Sequence, residues 1–444
     1  MDLFGTAGIR GPVSERVTPE LALAVGRAAG RDGEEFVVAR DGRETGNSLA
    51  AALEAGLTSA GARVVRAGQL PTPALAFASQ GRRGVMVTAS HNPPADNGLK
   101  LFDDGTEYDR DAEREVEDRV AEGTDSTTWD AWGETEHTDV LSDYRDAVAD
   151  YASEHGAPLG GLSVAVDCGN GMASLATPQV LRELGAHVVA VNAQVDGHFP
   201  GRPSKPTPET LADLRRFVAD GTFDLGIGHD GDADRIVITD SGGEVVHEDT
   251  VVAILGEHFV RASDVADPVV VTTPNASGRI DQRVDAAGGR VERVRLGALH
   301  EGIARVTADG GDVVFAAEPW KHIHVGHGPW IDGVASAAVF ARLVAESGLP
   351  SLREPVEERP YRKVSVECPD DRKGPVMAAL ASSLPAAFPD AEVNTDHGVR
   401  LSFDDGSWVL VRPSGTEAYV RVYAESTDVD ALVDETTALV EAEV

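Results

Sequence analysis

Thr88-Ala89-Ser90-His91-Asn92-Pro93 follows directly on Gly84-Val85-Met86-Val87, a short apolar run that reads as a buried strand. Pro93 and Pro94 keep the next residues from entering a helix at once. The strand therefore empties into a loop carrying a serine hydroxyl beside a histidine. A serine at the carboxyl end of a buried strand is a candidate nucleophile or phosphoryl carrier. Ser90 and Asn92 are also residues that close turns by hydrogen bonding, so this stretch alone leaves both readings open. A hydrolase pair is disfavoured, because adjacent residues seldom present Oγ and imidazole to each other and no GxSxG elbow surrounds Ser90.

The strand gains meaning from its place in a weak internal repeat. Three β-rich runs end at polar, turn-prone loops: Glu35-Phe36-Val37-Val38-Ala39-Arg40-Asp41-Gly42, Leu162-Ser163-Val164-Ala165-Val166-Asp167-Cys168-Gly169, and Asp267-Pro268-Val269-Val270-Val271-Thr272-Thr273. Each is followed by a helical stretch and a glycine-led second strand, starting at Gly61, Gly185 and Gly289. Such alternation predicts βαβ units with a largely parallel sheet. Third strands then lead into three chemically loaded loops: TASHNP, His229-Asp230-Gly231-Asp232-Ala233-Asp234-Arg235, and Ala317-Glu318-Pro319-Trp320-Lys321-His322. Ligands of open α/β sheets gather beyond the carboxyl ends of strands, so three equivalent loops are expected to face one cleft. From Pro360 onward the pattern changes to strand, helix, strand, hairpin, helix, a smaller α+β domain. Residues 124–138 are polar and residues 154–161 turn-rich, which marks them as linkers.

Composition narrows the class. The chain has 444 residues, 42% hydrophobic and 25% charged, the mix of a multidomain globular protein. No apolar run is long enough to span a bilayer, and the opening MDLFGTAGIRG lacks the layout of a secretory signal, so cytoplasmic location is expected. The formal charge is −35, from 74 acidic against 39 basic residues, and only five of the basic residues are lysine. An acidic, lysine-poor surface predicts a halophilic protein whose self-repulsion is screened by salt. It speaks against nucleic acid and anionic membrane as partners. Cys168 and Cys368 form no CxxC pair, so neither a disulfide framework nor a cysteine zinc site is indicated.

Asp230, Asp232 and Asp234 stand at alternate positions after a buried strand. Three carboxylates so close repel one another unless a cation neutralises them, and hard oxygen ligands suit Mg²⁺ or Ca²⁺. An EF-hand fails, since its sixth and twelfth positions would be Arg235 and Ser241. Arg412-Pro413-Ser414-Gly415-Thr416 joins a guanidinium, two hydroxyls and a glycine in one loop, which fits phosphate or a plain turn. Phe4-Gly5-Thr6-Ala7-Gly8-Ile9-Arg10-Gly11 is a weaker signal of the same kind. Lys100 and Lys321 stand out because an ammonium can exchange a proton where arginine cannot readily do so. His322, His324 and His327 lack thiol or carboxylate partners at zinc-site spacing.

Taken together, the chain resembles the α-D-phosphohexomutase family, which includes phosphoglucomutase, phosphomannomutase and phosphoglucosamine mutase. TASHNP with Asn97-Gly98-Leu99-Lys100 is similar to the phosphoserine loop, Asp230-Gly231-Asp232-Ala233-Asp234-Arg235 to the metal loop, and Arg412-Pro413-Ser414-Gly415-Thr416-Glu417 with Arg421-Val422-Tyr423-Ala424-Glu425 to the phosphate-binding loop. The resemblance implies an α/β protein: three related α/β domains with mixed, mainly parallel sheets, plus a C-terminal α+β domain, around a central cleft. The expected divisions are residues 1–150 bearing the phosphoserine, 151–255 binding metal, 256–357 binding sugar, and 358–444 binding phosphate.

The resemblance further implies Ser90, Lys100, Arg10, His91 and His322 as catalytic residues. Substrate would be held by Glu318, Trp320, Lys321, Arg412, Ser414, Gly415, Thr416, Arg421 and Arg235, and Mg²⁺ by Ser90, Asp230, Asp232 and Asp234. The implied reaction moves a phosphoryl group between the C1 and C6 hydroxyls of a hexose phosphate through a phosphoserine, with a sugar bisphosphate as intermediate and activator. Partners would be the small sugar phosphate alone, with the chain as monomer or homodimer. The family pattern Gly-Glu-x-Ser-Gly-His is altered here to Ala317-Glu318-Pro319-Trp320-Lys321-His322. A bulky ring and a new cation would change the room and polarity offered to the sugar. Glucosamine phosphate and pentose phosphate are therefore alternative substrates. A metal-dependent phosphatase and a non-catalytic sugar-phosphate sensor would use the same parts.

Overall fold

A computed structural model describes residues 3–5, 7–414 and 417–444. Thr6 of the glycine-rich opening, with Met1 and Asp2, lies outside the described residues, as do Gly415 and Thr416 of the C-terminal loop. The architecture is three α/β domains with mixed, mostly parallel sheets and a C-terminal domain built on an antiparallel sheet. The chain condenses into two compact units, residues 1–248 with 320–352, and residues 249–319 with 353–444.

The first unit holds two sheets. In one, strands Glu35–Arg40, Arg63–Gln69 and Arg83–Val87 run parallel. Asp96–Asp103 pairs antiparallel with Arg83–Val87, and Ile9–Pro12 pairs antiparallel with Asp96–Asp103. The central strands bury both faces, which explains their continuous apolar runs. In the other sheet Leu225–His229 lies parallel to Ser163–Asp167 and antiparallel to Ile236–Asp240, so the aspartate loop joins two adjacent strands. The helix Gly333–Ser347 belongs to this unit, capped by Asp332, whose carboxylate accepts from the backbone of Val334 and Ala335 and from the Tyr144 hydroxyl.

One segment the sequence leaves unassigned is placed here, and one expectation changes. The run after Pro93-Pro94 is the strand Asp96–Asp103, so Lys100 sits inside a sheet, directly across from Met86. Residues 124–138 do more than link domains: Thr135–His137 adds an edge strand beside Arg63–Gln69.

In the second unit Pro268–Thr272 lies parallel to Arg290–Arg293 and to Asp312–Glu318. The C-terminal sheet is antiparallel throughout, in the order Tyr361–Glu367, Tyr419–Glu425, Trp408–Pro413, Val399–Ser402, Glu392–Asn394. Its alternating residues put Val409, Val411, Val420 and Val422 against helices Asp370–Ala387 and Val429–Glu443. Trp408, Leu410 and Tyr423 line the opposite face. There Glu425 accepts from Arg279 Nη2 at 2.7 Å and from Trp408 Nε1 at 2.9 Å, a buried charge satisfied on both oxygens. No helix among the described residues is long and apolar enough to cross a membrane.

Candidate active site

Ser90 sits at the end of Arg83–Val87 with φ at 49°, in the left-handed region that a β-carbon disfavours. Two side chains hold it there. The Ser90 N–H donates to Thr88 Oγ1 at 2.9 Å, and Thr88 Oγ1 donates to Asp41 Oδ2 at 2.7 Å. Arg43, fully buried, donates from Nε to Asp41 and from its two terminal nitrogens to the carbonyls of Ser90, Asn92, Pro93 and Asp96 at 2.6–2.9 Å. The serine loop is thus wrapped around one guanidinium, which uses the fork geometry only arginine provides.

Ser90 Oγ donates to Asp230 Oδ2 at 2.8 Å and lies 3.4 Å from His91 Nδ1. The two loops meet so closely that a β-carbon on Gly231 would stand 2.6 Å from the Ser90 carbonyl oxygen, so glycine is required there. Asp230, Asp232 and Asp234 are all buried, and each offers a carboxylate oxygen within 4.8 Å of the others. Thr72 Oγ1 donates to Asp232 at 2.6 Å. Lys100 Nζ stands 3.0 Å from Asp234 Oδ2 and 3.4 Å from Asp232 Oδ2, while Arg235 Nε is 3.7 Å from Asp234 and 3.8 Å from Asp230. Lys321 Nζ lies 4.0 Å from Asp234.

The electrostatics divide the triad. Burial and the neighbouring Asp234 and Asp232 push the Asp230 carboxyl well above its ordinary range. Burial also acts on Asp234, but Lys100, Lys321 and Arg235 outweigh it and hold that carboxyl well below the ordinary range. Lys100 is buried, yet Asp234, Asp232 and Glu107 keep its ammonium more firmly protonated than a free lysine. Burial, with Arg235 and Arg10 nearby, drives His91 down to about 2, so its imidazole is neutral. Oδ1 of Asp232, Oδ1 of Asp234, and Nε and Nη2 of Arg10 are buried with no hydrogen-bond partner among the described residues. Spare hard oxygens beside spare guanidinium donors suit a divalent cation and an anionic group bound together. By donor chemistry and burial, the three aspartates fit Mg²⁺.

The residues of the loop 317–322 meet surroundings of different kinds. Trp320 has φ at 66°, its carbonyl accepts from Ile236 N–H, and its ring packs on the Ala165, Leu211, Leu214, Val218 and Val237 cluster. The ring is spent on the second sheet's core. Lys321 pairs in a backbone bridge with Arg235, which carries its ammonium to the aspartates. His322 is turned inward: its Nδ1 lies 3.0 Å from Ser336 Oγ, and burial lowers it to about 3. His324 Nε2 meets the same hydroxyl at 2.8 Å. In the second unit Glu318 ends the strand Asp312–Glu318 and accepts from Gly297 N–H at 2.5 Å.

In the C-terminal hairpin Arg412 and Arg421 are direct cross-strand partners. Like charges in that register repel unless an anion joins them; Arg421 Nη2 is paired with the Glu417 carboxylate, and Nε of the same guanidinium faces inward. Arg421 Nε and Ser414 Oγ are buried without a hydrogen-bond partner among the described residues. These are donors without an acceptor, as a phosphate-binding loop would present.

Arg43 and Thr72 carry no motif of their own in the sequence. Asp41, at the polar end of the first strand, was the available signal for Arg43; nothing local marks Thr72, which reaches Asp232 across 160 residues.

Comparison with known proteins covers nearly the whole length. Residues 1–127, 142–243 and 247–362 match the descriptions "Phosphoglucomutase/phosphomannomutase, alpha/beta/alpha" domain I, domain II and domain III, and residues 364–442 match the C-terminal domain of the same family. The chain is 43% identical to a phosphopentomutase of Thermococcus kodakarensis, over 96% of this chain and 94% of that protein. It is 41% identical to a probable phosphoglucosamine mutase of Methanopyrus kandleri, over 95% and 93% of the two chains. A solved phosphoglucomutase/phosphomannomutase family protein of Burkholderia thailandensis superposes with a TM-score of 0.86 at 25% identity, covering 100% of this chain and 97% of the other. The chain belongs to the phosphoglucomutase/phosphomannomutase family, and with it to the isomerase-type phosphotransferases that act as phosphosugar mutases.

Proposed function

We propose that Ser90 carries the phosphoryl group in a mutase reaction on an aldose phosphate, moving it between the anomeric and the terminal hydroxyl. One observation carries the reading: Ser90 Oγ, held in a left-handed backbone, points at Asp230 in a set of three buried carboxylates, two buried lysines and two half-buried arginines. In the forward half, the free hydroxyl of the sugar monophosphate attacks the phosphorus of phospho-Ser90. The P–O bond to Ser90 Oγ breaks, the serine oxygen regains a proton, and a sugar bisphosphate results. That bisphosphate turns round and returns its other phosphoryl group to Ser90.

Catalysis here is positioning and charge neutralisation. Lys100 and Arg10 supply fixed positive charge for the phosphoryl oxygens, and Arg43 holds the serine loop in place. Asp230, Asp232 and Asp234 would hold Mg²⁺, which when bound would supply charge neutralisation for the transferring group. Arg412, Ser414 and Arg421, with Gly415 and Thr416 outside the described residues, would hold the phosphate that is not reacting. A sugar bisphosphate primes Ser90.

Pentose phosphate and glucosamine phosphate are the substrates supported ahead of glucose or mannose phosphate, since the relatives above carry those names. Lys321 favours the pentose: a fixed ammonium in the sugar loop is a poor neighbour for the protonated amine of glucosamine. Glu318 and His322 would serve the sugar side of the site, Glu318 by direct contact and His322 by holding its loop on Ser336.

The test is Ser90→Ala assayed with bisphosphate present, beside intact mass of the wild-type protein. Loss of turnover and a phosphoprotein mass are expected; near wild-type turnover in the variant would sink the reading. A panel of ribose, glucosamine, glucose and mannose phosphates assigns the sugar. Release of inorganic phosphate without isomerisation would point to a phosphatase instead.

A further inference from the structure

Lys373 lies in the first turn of the helix Asp370–Ala387, under the C-terminal hairpin. Its Nζ donates to the Ser414 carbonyl at 2.7 Å and to the Glu417 carbonyl at 2.6 Å, and stands 2.6 Å from Asp370 Oδ1. An ammonium has three donors, and all three are engaged. The side chain is only 12% exposed, so these bonds are made largely out of water. The hairpin end is braced further, with Ser414 N–H on the Tyr419 carbonyl and Tyr419 N–H on the Glu417 carbonyl, both at 2.8 Å.

The geometry has a consequence for anion binding. A trans peptide turns its N–H opposite to its C=O, so drawing the Glu417 carbonyl onto Lys373 directs the Ala418 N–H away from the helix. Among the described side chains of the hairpin, Arg421 Nε and Ser414 Oγ are buried without a hydrogen-bond partner. A lysine suits the task because its three donors diverge from one point, whereas a guanidinium spreads five donors in a plane. In a chain with five lysines among 39 basic residues, this one is held by two main-chain carbonyls on either side of one loop.

We infer that Lys373 is a positioning residue for phosphate recognition: by tying the Ser414 and Glu417 carbonyls to one ammonium it fixes the hairpin strands so that Arg412, Ser414 and Arg421 meet a phosphate already arranged. This rests on the reading of the hairpin as the grip on the non-reacting phosphate. Preorganisation of this sort shows in affinity, because the ligand no longer has to bring those side chains together.

The experiment measures KM for the sugar monophosphate, kcat, and competitive inhibition by inorganic phosphate in the full-length enzyme. Lys373→Met should raise KM and weaken phosphate inhibition by about tenfold each, with kcat changed less than about threefold. Lys373→Gln, which keeps one carbonyl contact, should lie between it and the wild type. If Lys373→Met does not fold, Lys373→Gln alone decides. A purely structural role would lower the yield of active enzyme or its thermal midpoint while leaving KM and phosphate inhibition of the folded fraction unchanged, and that result overturns the inference. Arg412→Ala separates the two claims. If it weakens phosphate and the Lys373 variants do not, the clamp is wrong and the grip stands. If none of the variants changes phosphate affinity, the hairpin is not the grip.

Discussion

Arg43 Nη2 donates to the carbonyl oxygen of Ser90 at 2.8 Å, while Arg43 Nε is paired with Asp41 at 3.0 Å. The second repeat contains the same device. Arg202 Nη2 donates to the His229 carbonyl at 2.6 Å, and Arg202 Nε to Asp167 Oδ2 at 2.8 Å. In both repeats an aspartate at the end of the first strand orients an arginine that grips the loop after the third strand. The serine loop and the aspartate loop are therefore fixed by equivalent means.

Replacing Arg43 by leucine should be costly twice over. It strands the buried Asp41 carboxylate without its partner, a loss of about 3–5 kcal/mol. It also frees the loop that holds Ser90 at positive φ, so phosphorylation of Ser90 should fail in whatever folds. Denaturant midpoints and intact mass after incubation with sugar bisphosphate check the two parts. Arg202→Leu should show a similar stability loss.

Lys321→Met removes one of the cations that compensate Asp234. With less positive charge at the triad, divalent cations should bind more tightly, by roughly tenfold for one charge at this separation in a partly screened site. Titration calorimetry with Mg²⁺ or Mn²⁺ on the unphosphorylated protein reads this without reference to turnover. Unchanged affinity would show that Lys321 does not act on the triad.

The Asp281–Arg293 pair gives a pH signature. Both oxygens of Asp281 bond the two terminal nitrogens of Arg293 at 2.7 Å. Burial alone would raise the carboxyl, but Arg293 outweighs it and holds the folded-state value below 3.8. A depressed carboxyl contributes stability that is complete above its unfolded value and is lost as pH falls through the folded one. The Asp281 side chain is 41% exposed, so screening limits the contribution to about 1 kcal/mol at most. Asp281→Asn should lower the thermal midpoint slightly at neutral pH, and the difference from wild type should shrink below about pH 4.

At a formal charge of −35, added salt should raise the thermal midpoint steeply up to about 1 M, where the Debye length falls to about 3 Å. Melting scans in increasing KCl check this, and a flat dependence would remove the halophilic reading.

Much of the site was legible because its chemistry is local in the chain. DGDADR concentrates three carboxylates in five residues, and TASHNP announces a strand ending in a hydroxyl; neither needs a distant partner to be noticed. The threefold repeat was legible for a related reason: buried parallel strands write themselves as unbroken apolar runs. The edge strand Thr135–His137 reads as linker in the sequence because all three of its residues are exposed and carry no apolar signal.

By itself, then, the sequence determined the α/β class, the three loaded loops and the residue types available to each. Those follow from periodicity and composition, which are properties of neighbours along the chain. The tertiary structure alone decided what those residues face. It set Lys100 within a strand against Asp234, and it turned Trp320 into an apolar core while leaving Lys321 beside the carboxylates. It also brought Arg43 to Ser90 and Thr72 to Asp232. Burial and charge at a site depend on every segment packed there, whatever its distance along the chain, and that sum exists only once the chain has folded.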